Sequence, residues 1–256
     1  MFKSLFLFFA CLVLFGFSIR VLTLIELEDE AAEFIVANAG IRMDGDDDLL
    51  RLQQLTEAIG KFSEPRREFS DKNGIINDEK YFDESPILAS LAYGGGACGY
   101  ATELGVRVME LSGFHPRFVQ VLNENGFTHH VVMDVSLEDG RNIMIDPIFG
   151  HLFLDGSGQP INAARLCAEW PIIQGSLPQN KIRTYSYENS IRYTNWEKNM
   201  VTVTMRSCFR LVGMNPDEIC LRLHFNAIRR WSPVLGLSIS ILLILAFAFK
   251  TNTPNG

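Results

Sequence analysis

Gly94-Gly95-Gly96-Ala97-Cys98-Gly99-Tyr100-Ala101 is the stretch on which the reading of the whole chain turns. A glycine run leads into a cysteine, and the cysteine leads into a helical pattern. Ala101, Leu104, Val108, Met109 and Leu111 recur at helical spacing, and Gly113 closes the segment. Cys98 is therefore expected in the first turn of a helix. There, unpaired backbone N–H groups and the positive end of the helix dipole favour a thiolate over a thiol. The small residues ahead of it let another chain approach the sulfur closely. A substrate carbonyl could then meet both the sulfur and nearby N–H donors.

Downstream the pattern changes period. Pro116 to Leu122 reads as a strand, Asn123-Glu124-Asn125-Gly126 as a turn, and Phe127 to Leu137 as the strongest strand signal in the chain. Glu138-Asp139-Gly140-Arg141 is a hairpin turn on the Asp-Gly cue, and Asn142 to Asp146 returns as the next strand. A helix followed by a strand and a hairpin predicts an α+β domain in which an antiparallel sheet packs on the cysteine helix. Pro160 to Trp170 is a further helix candidate. Tyr185 to Phe209 mixes aromatics with an alternating strand, Val201 to Met205. Asn215-Pro216-Asp217-Glu218 has the form of a helix start, and that helix leads through Leu221, Leu223 and Phe225 into a C-terminal apolar run. Upstream, Glu26 to Ala39 reads as a helix ending at Gly40, and Asp46 to Phe62 as an amphipathic helix with carboxylates at its start. Ser63 to Asp83 reads as a long polar loop, and Ser85-Pro86 opens a short helix, Ile87 to Leu91.

Both ends of the 256-residue chain are strongly apolar, which divides it into a segment at 1–25, a water-soluble domain at 26–228 and a C-terminal span at 232–249. Lys3 precedes an apolar run, Leu5 to Ile19, that continues past Arg20 to Ile25. A cleaved signal peptide and an uncleaved anchor both fit, and the bulky continuation favours the anchor. Pro233 to Phe249 lies between Arg229-Arg230-Trp231 and Lys250, the flanks an interface prefers around a bilayer-spanning helix. The expected location is a membrane, the inner membrane of a bacterium in the first instance, with the side of the domain open. A net charge of -7 argues against a general nucleic-acid binder. Of the five cysteines, none falls in a CxxC or a metal-ligand spacing with histidine, so neither a metal nor an organic cofactor is expected. A Cys208–Cys220 bridge stays open, and nothing in the sequence sets the oligomeric state.

Three residue types with matching chemistry converge if the sheet packs on the helix: Cys98, His130 and Asp146. Neighbouring strands lie about 4.8 Å apart, so side chains on one face can touch across a hairpin. A thiolate attacks a carbonyl carbon, a histidine returns a proton to the leaving amine, and a carboxylate fixes the tautomer of the histidine. On a strand His129 and His130 point to opposite faces. His129 shares its face with Phe127, Val131, Met133 and Val135, and His130 shares its own with Thr128, Val132 and Asp134, a set better suited to the rim of a site. Cys167 reads as core filling, Cys208 as the end of a strand and Cys220 as part of an apolar helix. His115, His151 and His224 have no evident partner, although His151 lies close behind Pro147-Ile148-Phe149-Gly150.

The order of motifs resembles the transglutaminase-like domain of the papain-like superfamily. Gly95-Gly96-Ala97-Cys98-Gly99-Tyr100-Ala101, Gly113-Phe114-His115-Pro116-Arg117, His130-Val131-Val132-Met133-Asp134-Val135 and Ile145-Asp146-Pro147 carry it, within residues 85–165. The resemblance implies Cys98 as nucleophile, His130 as acid–base, Asp146 as orienting carboxylate, and a structural position for Arg117. It implies a cysteine peptidase or an acyltransferase that hydrolyses or transamidates a peptide or protein amide. Its alternative is a catalytically silent binding module in cell-envelope or polysaccharide assembly. Two positions depart from the pattern: Val132 where an aromatic often follows the histidine, and Ile143-Met144-Ile145 where a tryptophan often precedes the aspartate. The backbone N–H of Cys98 is the expected oxyanion donor, with Tyr93 and Tyr100 as nearby candidates.

Overall fold

Gly113 and Gly140 mark two chain reversals that set up the fold, and both take the left-handed backbone, with φ of 85° and 81°. The computed structural model describes residues 2–40, 47–63, 85–93, 98–176, 185–188 and 191–252. The expected loop over Ser63–Asp83 lies almost wholly outside the described residues, as does the glycine run 94–97. In chain order the helices are α1 (Phe2–Asn38), α2 (Asp48–Ser63), α3 (Pro86–Tyr93), α4 (Cys98–Leu111), α5 (Ala163–Ala168), α6 (Trp170–Ser176), α7 (Met200–Leu211) and α8 (Leu221–Asn252). The strands are β1 (His115–Leu122), β2 (Thr128–Ser136), β3 (Asn142–Asp146), β4 (His151–Leu152) and β5 (Ile191–Arg192). The chain is thus α+β, with one antiparallel sheet in the order β4-β3-β2-β1-β5.

Helix α4 forms as the apolar spacing predicts, burying Ala101, Leu104, Val106, Val108 and Met109. Its end is closed by N–H donation from Gly113 to the Glu110 carbonyl and from Phe114 to the Met109 carbonyl, which satisfies carbonyls the helix leaves unpaired. Period-two alternation gives the sheet two faces. Val119, Val121, His130, Val132, Asp134, Met144 and Asp146 share one of them by register. Helix α4 covers the opposite face: a Cβ on Gly105 would lie 3.2 Å from Cε of Met133 and 3.3 Å from Pro147. The first face is covered by Phe153, Ile161, Leu166, Trp170, Ile173 and Tyr187. With both faces covered, the sheet is the centre of the core, and His130, Asp134 and Asp146 are buried within it.

The chain divides into two units, Met1–Glu28 with Leu223–Gly256, and Asp29–Arg222. In the first unit α1 and α8 run antiparallel. A Cβ on Gly236 would lie 2.5 Å from Oγ of Ser18, and Arg229 pairs with the buried Glu28 at 2.6 Å. Small residues let apolar helices approach this closely. Phe8–Asn38 and Asn226–Leu245 are long and apolar enough to cross a membrane, and Phe9, Val13, Phe17, Leu235 and Leu242 are exposed along them. Pro233 lies inside α8 and has no N–H for the carbonyl four residues back. The Ser232 hydroxyl donates to that carbonyl, of Arg229, at 3.0 Å instead.

Several boundaries differ from the sequence reading. The helix expected over Glu26–Ala39 is continuous with the apolar run before it. The helix expected over Pro160–Trp170 begins only at Ala163, with Asn162 as its cap, and gives way to α6 at Trp170. Val201–Met205 is not a strand but the first half of α7. Its alternation is overridden by a capping box between Asn199 and Thr202 and by Met205 and Phe209, four apart, packing on Trp196, Ile219 and Leu221. Asn215-Pro216 starts only a single turn, Pro216–Glu218, and the chain is extended at Ile219 before α8 begins.

Gly60 of α2 meets Gly150 of the turn before β4, where an added Cβ would lie 2.4 Å from the Gly150 Cα. Both sides of that contact are backbone, so neither can yield locally. Gly60→Ala is expected to cost about 3 kcal/mol, read as a fall in the thermal unfolding midpoint of the full chain in detergent; an unchanged midpoint would contradict this packing.

Candidate active site

Pro147 ends β3 because it has no N–H to continue the ladder. The pairing of β2 with β3 accordingly begins at Met133, two residues beyond Val131. The backbone of Val131 is turned instead to the start of α4. Its carbonyl accepts the Thr102 hydroxyl at 2.9 Å, and its N–H acts on the sulfur of Cys98. Cys98 is the first residue of α4 and is half-buried, as the glycine-led sequence predicts. The N–H of Gly99 bears on the same sulfur.

His130 and Asp146 are both fully buried. Nε2 of His130 lies 2.7 Å from Oδ2 of Asp146. The same oxygen accepts the Tyr187 hydroxyl, and Oδ1 accepts the N–H of Ile148 at 3.2 Å. Nδ1, the other ring nitrogen, meets no oxygen or nitrogen partner among the described residues. The group left to it is the Cys98 thiol, which acts on the imidazole through charge and hydrogen bonding at a reach longer than a tight hydrogen bond. The three residues expected to converge are therefore brought together, with Asp146 behind the histidine and Cys98 in front.

The electrostatics follow from this arrangement. Burial by itself would lower the imidazole; the charge and hydrogen bond of Asp146, with a smaller contribution from Cys98, outweigh it and hold His130 at about 9. Burial by itself would raise the thiol; the hydrogen bond and charge of His130 and the N–H groups of Val131 and Gly99 outweigh it and bring Cys98 below its ordinary value. Each group thus favours the charged form of the other, His130 the thiolate and Cys98 the imidazolium.

Two aromatics that local sequence reasoning missed complete the setting. Tyr185 stacks on the His130 ring, with centroids 3.8 Å apart and planes within 3°. Tyr187 meets the same ring edge-on at 5.9 Å while bonding Asp146. The Tyr-Ser-Tyr spacing, two residues apart, is the signal that puts both on one side of an extended segment.

The remaining candidates have other surroundings. His129 is half-buried, lowered by burial and by the charge of His130, and its Nδ1 has no partner among the described residues. His151 stands opposite Asp146 across β3 and β4, lowered by burial against the pull of that carboxylate. His115 is exposed. The side chains of His224 and Tyr93 lie outside the described residues, and Tyr100 is exposed. Arg117 pairs with the buried Asp134 at 2.6 Å and lies over the Tyr193 ring, whose hydroxyl bonds the same Asp134 oxygen. Cys167 is not core: it is half-buried, with its thiol donating to the Glu188 carbonyl at 3.2 Å. Cys208 is exposed on α7 rather than at a strand end, Cys220 is buried just before α8, and both are free thiols.

A cavity of about 720 Å³ opens on the sheet face that carries Asp134, between Asn142, Tyr193, Arg206 and Asp217. Its lining includes none of Cys98, His130 and Asp146. Among the described residues, no group of three or more His, Cys, Asp or Glu is placed to hold a metal ion. Compared with models of protein families, with curated proteins and with solved structures, the chain finds no match.

The folded value of His130 lies above the ordinary 6.5. Its pairing with Asp146 therefore stabilises the fold in full below pH 6.5, and that contribution is lost as pH rises through about 9. Asp146→Asn removes the charge and leaves burial in control. In the full chain with labelled histidine, nuclear magnetic resonance should show His130 titrating near 9 in the parent and lower in the variant. A ring that titrates alike in both would contradict the assignment of cause.

Proposed function

We propose that the chain is a thiol-dependent acyl-transfer enzyme that acts on amide bonds of peptides or proteins. The observation that supports this is the convergence of Cys98, His130 and Asp146 from three separate elements. The thiolate of Cys98 attacks the amide carbonyl. The N–H groups at the start of α4, that of Cys98 first, face the oxyanion that develops. Nδ1 of His130 then gives its proton to the leaving amine, the C–N bond breaks, and a thioester remains on Cys98. Water or a second amine enters, loses a proton to the same nitrogen and attacks the thioester, which returns the thiol. Hydrolysis and transamidation share every step up to that choice. Asp146 keeps Nε2 protonated and the ring oriented throughout.

The reading places the domain among transglutaminase-like members of the papain-like superfamily. The aromatic lacking two residues after the histidine, where Val132 stands, has a counterpart in Tyr185, which stacks on the His130 ring from another segment. Two apolar helices outside the domain favour work on substrates at a membrane.

The test is turnover of a panel of amide and isopeptide substrates, with and without an added amine, by the full chain in detergent. Cys98→Ala is expected to lose activity by at least about 10⁴-fold and His130→Ala by about 10²- to 10⁴-fold. Activity that survives Cys98→Ala on every substrate of the panel would overturn the proposal.

A further inference from the structure

Beside the candidate nucleophile stands an arginine that the reaction as described does not use. Arg222, the second residue of α8, belongs to the same unit as the site. Its Nε donates to Oε1 of Glu103 on α4 at 2.7 Å. Its guanidinium carbon lies 4.8 Å over the Phe118 ring. One carboxylate and one aromatic face thus fix the plane of the group, which lowers the entropy cost of any further bond it makes.

The other edge of the guanidinium is turned to the start of α4. A Cβ on Gly99 would lie 3.5 Å from Nη1 and 3.6 Å from Nη2 of Arg222. Gly99 has no side chain to occupy that space, and it is the residue next to Cys98. Nη1 and Nη2 make no hydrogen bond among the described residues, and the side chain is about a third exposed. Two donors of one rigid fork therefore lie, without a hydrogen-bond partner among the described residues, against the residue that follows Cys98. That fork matches a carboxylate in geometry as well as charge.

We propose that Arg222 is a specificity residue that recognises a carboxylate on the acyl donor, close to the scissile amide. The inference rests on the acyl-transfer reading and names its substrate class: peptides with an acidic side chain or a free carboxyl terminus at the bond attacked. Glu103 and Phe118 are positioning residues for it. The guanidinium binds the carboxylate before and during attack, so its loss raises KM for acidic donors and leaves neutral ones unchanged.

Two alkylating reagents of nearly one shape test this without a known substrate. Iodoacetate carries a carboxylate and iodoacetamide a neutral amide; in both, the thiolate forms a carbon–sulfur bond and iodide leaves. The full chain in neutral detergent is pulsed with each, and labelling is read by mass spectrometry at Cys98, with the exposed Cys208 as internal reference. In the parent chain the iodoacetate-to-iodoacetamide ratio at Cys98 is expected to exceed that at Cys208. Arg222→Met should lower the Cys98 ratio about tenfold, the worth of one charge-assisted hydrogen bond, with the iodoacetamide rate kept within about twofold. Arg222→Lys, which keeps the charge, should retain most of the ratio. A ratio unmoved by Arg222→Met, or both reagents slowed equally, overturns the inference. Cys98 no more reactive than Cys208 towards iodoacetamide in the parent chain would overturn the acyl-transfer reading instead.

Discussion

A buried carboxylate holds the site together. Asp146 has no exposed surface, and a charge taken from water costs several kcal/mol unless it is paired and hydrogen-bonded. Three groups from different parts of the chain meet that demand: the His130 ring, the Tyr187 hydroxyl and the Ile148 N–H. The end of β3, the middle of the sheet and the segment after α6 are therefore fixed relative to each other by one oxygen pair. The same contact decides the chemistry, because Asp146 is what overcomes the burial of His130 and keeps the ring protonated.

From there the effect passes to the sulfur. A protonated ring in front of Cys98 lowers the thiol, and the backbone of Val131 supports the change with its N–H. That N–H is available because the ladder with β3 begins only at Met133 and the Pro147 carbonyl accepts the Gly150 N–H at 3.3 Å. The Val131 carbonyl, which Pro147 has no N–H to serve, takes the Thr102 hydroxyl instead and ties β2 to α4 beside the nucleophile. The sheet can spare the bond because both of its faces are packed, by α4 on one side and by the aromatic cluster on the other.

Much of this was legible in the sequence where the signal is local. The Asp139-Gly140 turn and the alternation around it set β3 at Asn142–Asp146, and the parity of β2 put His130 and Asp146 on one face. The start of α4 at Cys98 followed from the glycines before it and the apolar spacing after it. Tyr185, Tyr187 and Arg222 were not legible, because their nearness to the site is made by the chain returning after α6 and again at α8. Strand-like alternation at Val201, Val203 and Met205 misled because a capped start at Asn199 and an apolar pair four residues apart outweigh it. The two apolar ends were read from composition alone, and both are helices long enough to cross a membrane.

The central claim is that sulfur and imidazole exist as an ion pair sustained by Asp146. Its most direct measurement is the ultraviolet absorbance of the Cys98 thiolate, taken as the difference between the parent chain and Cys98→Ala across a pH titration. The account requires that absorbance to be present below the ordinary thiol range of about 8.5, and to move back up towards it when His130 is replaced by alanine. A Cys98 that ionises only at or above that range, with or without His130, would contradict it.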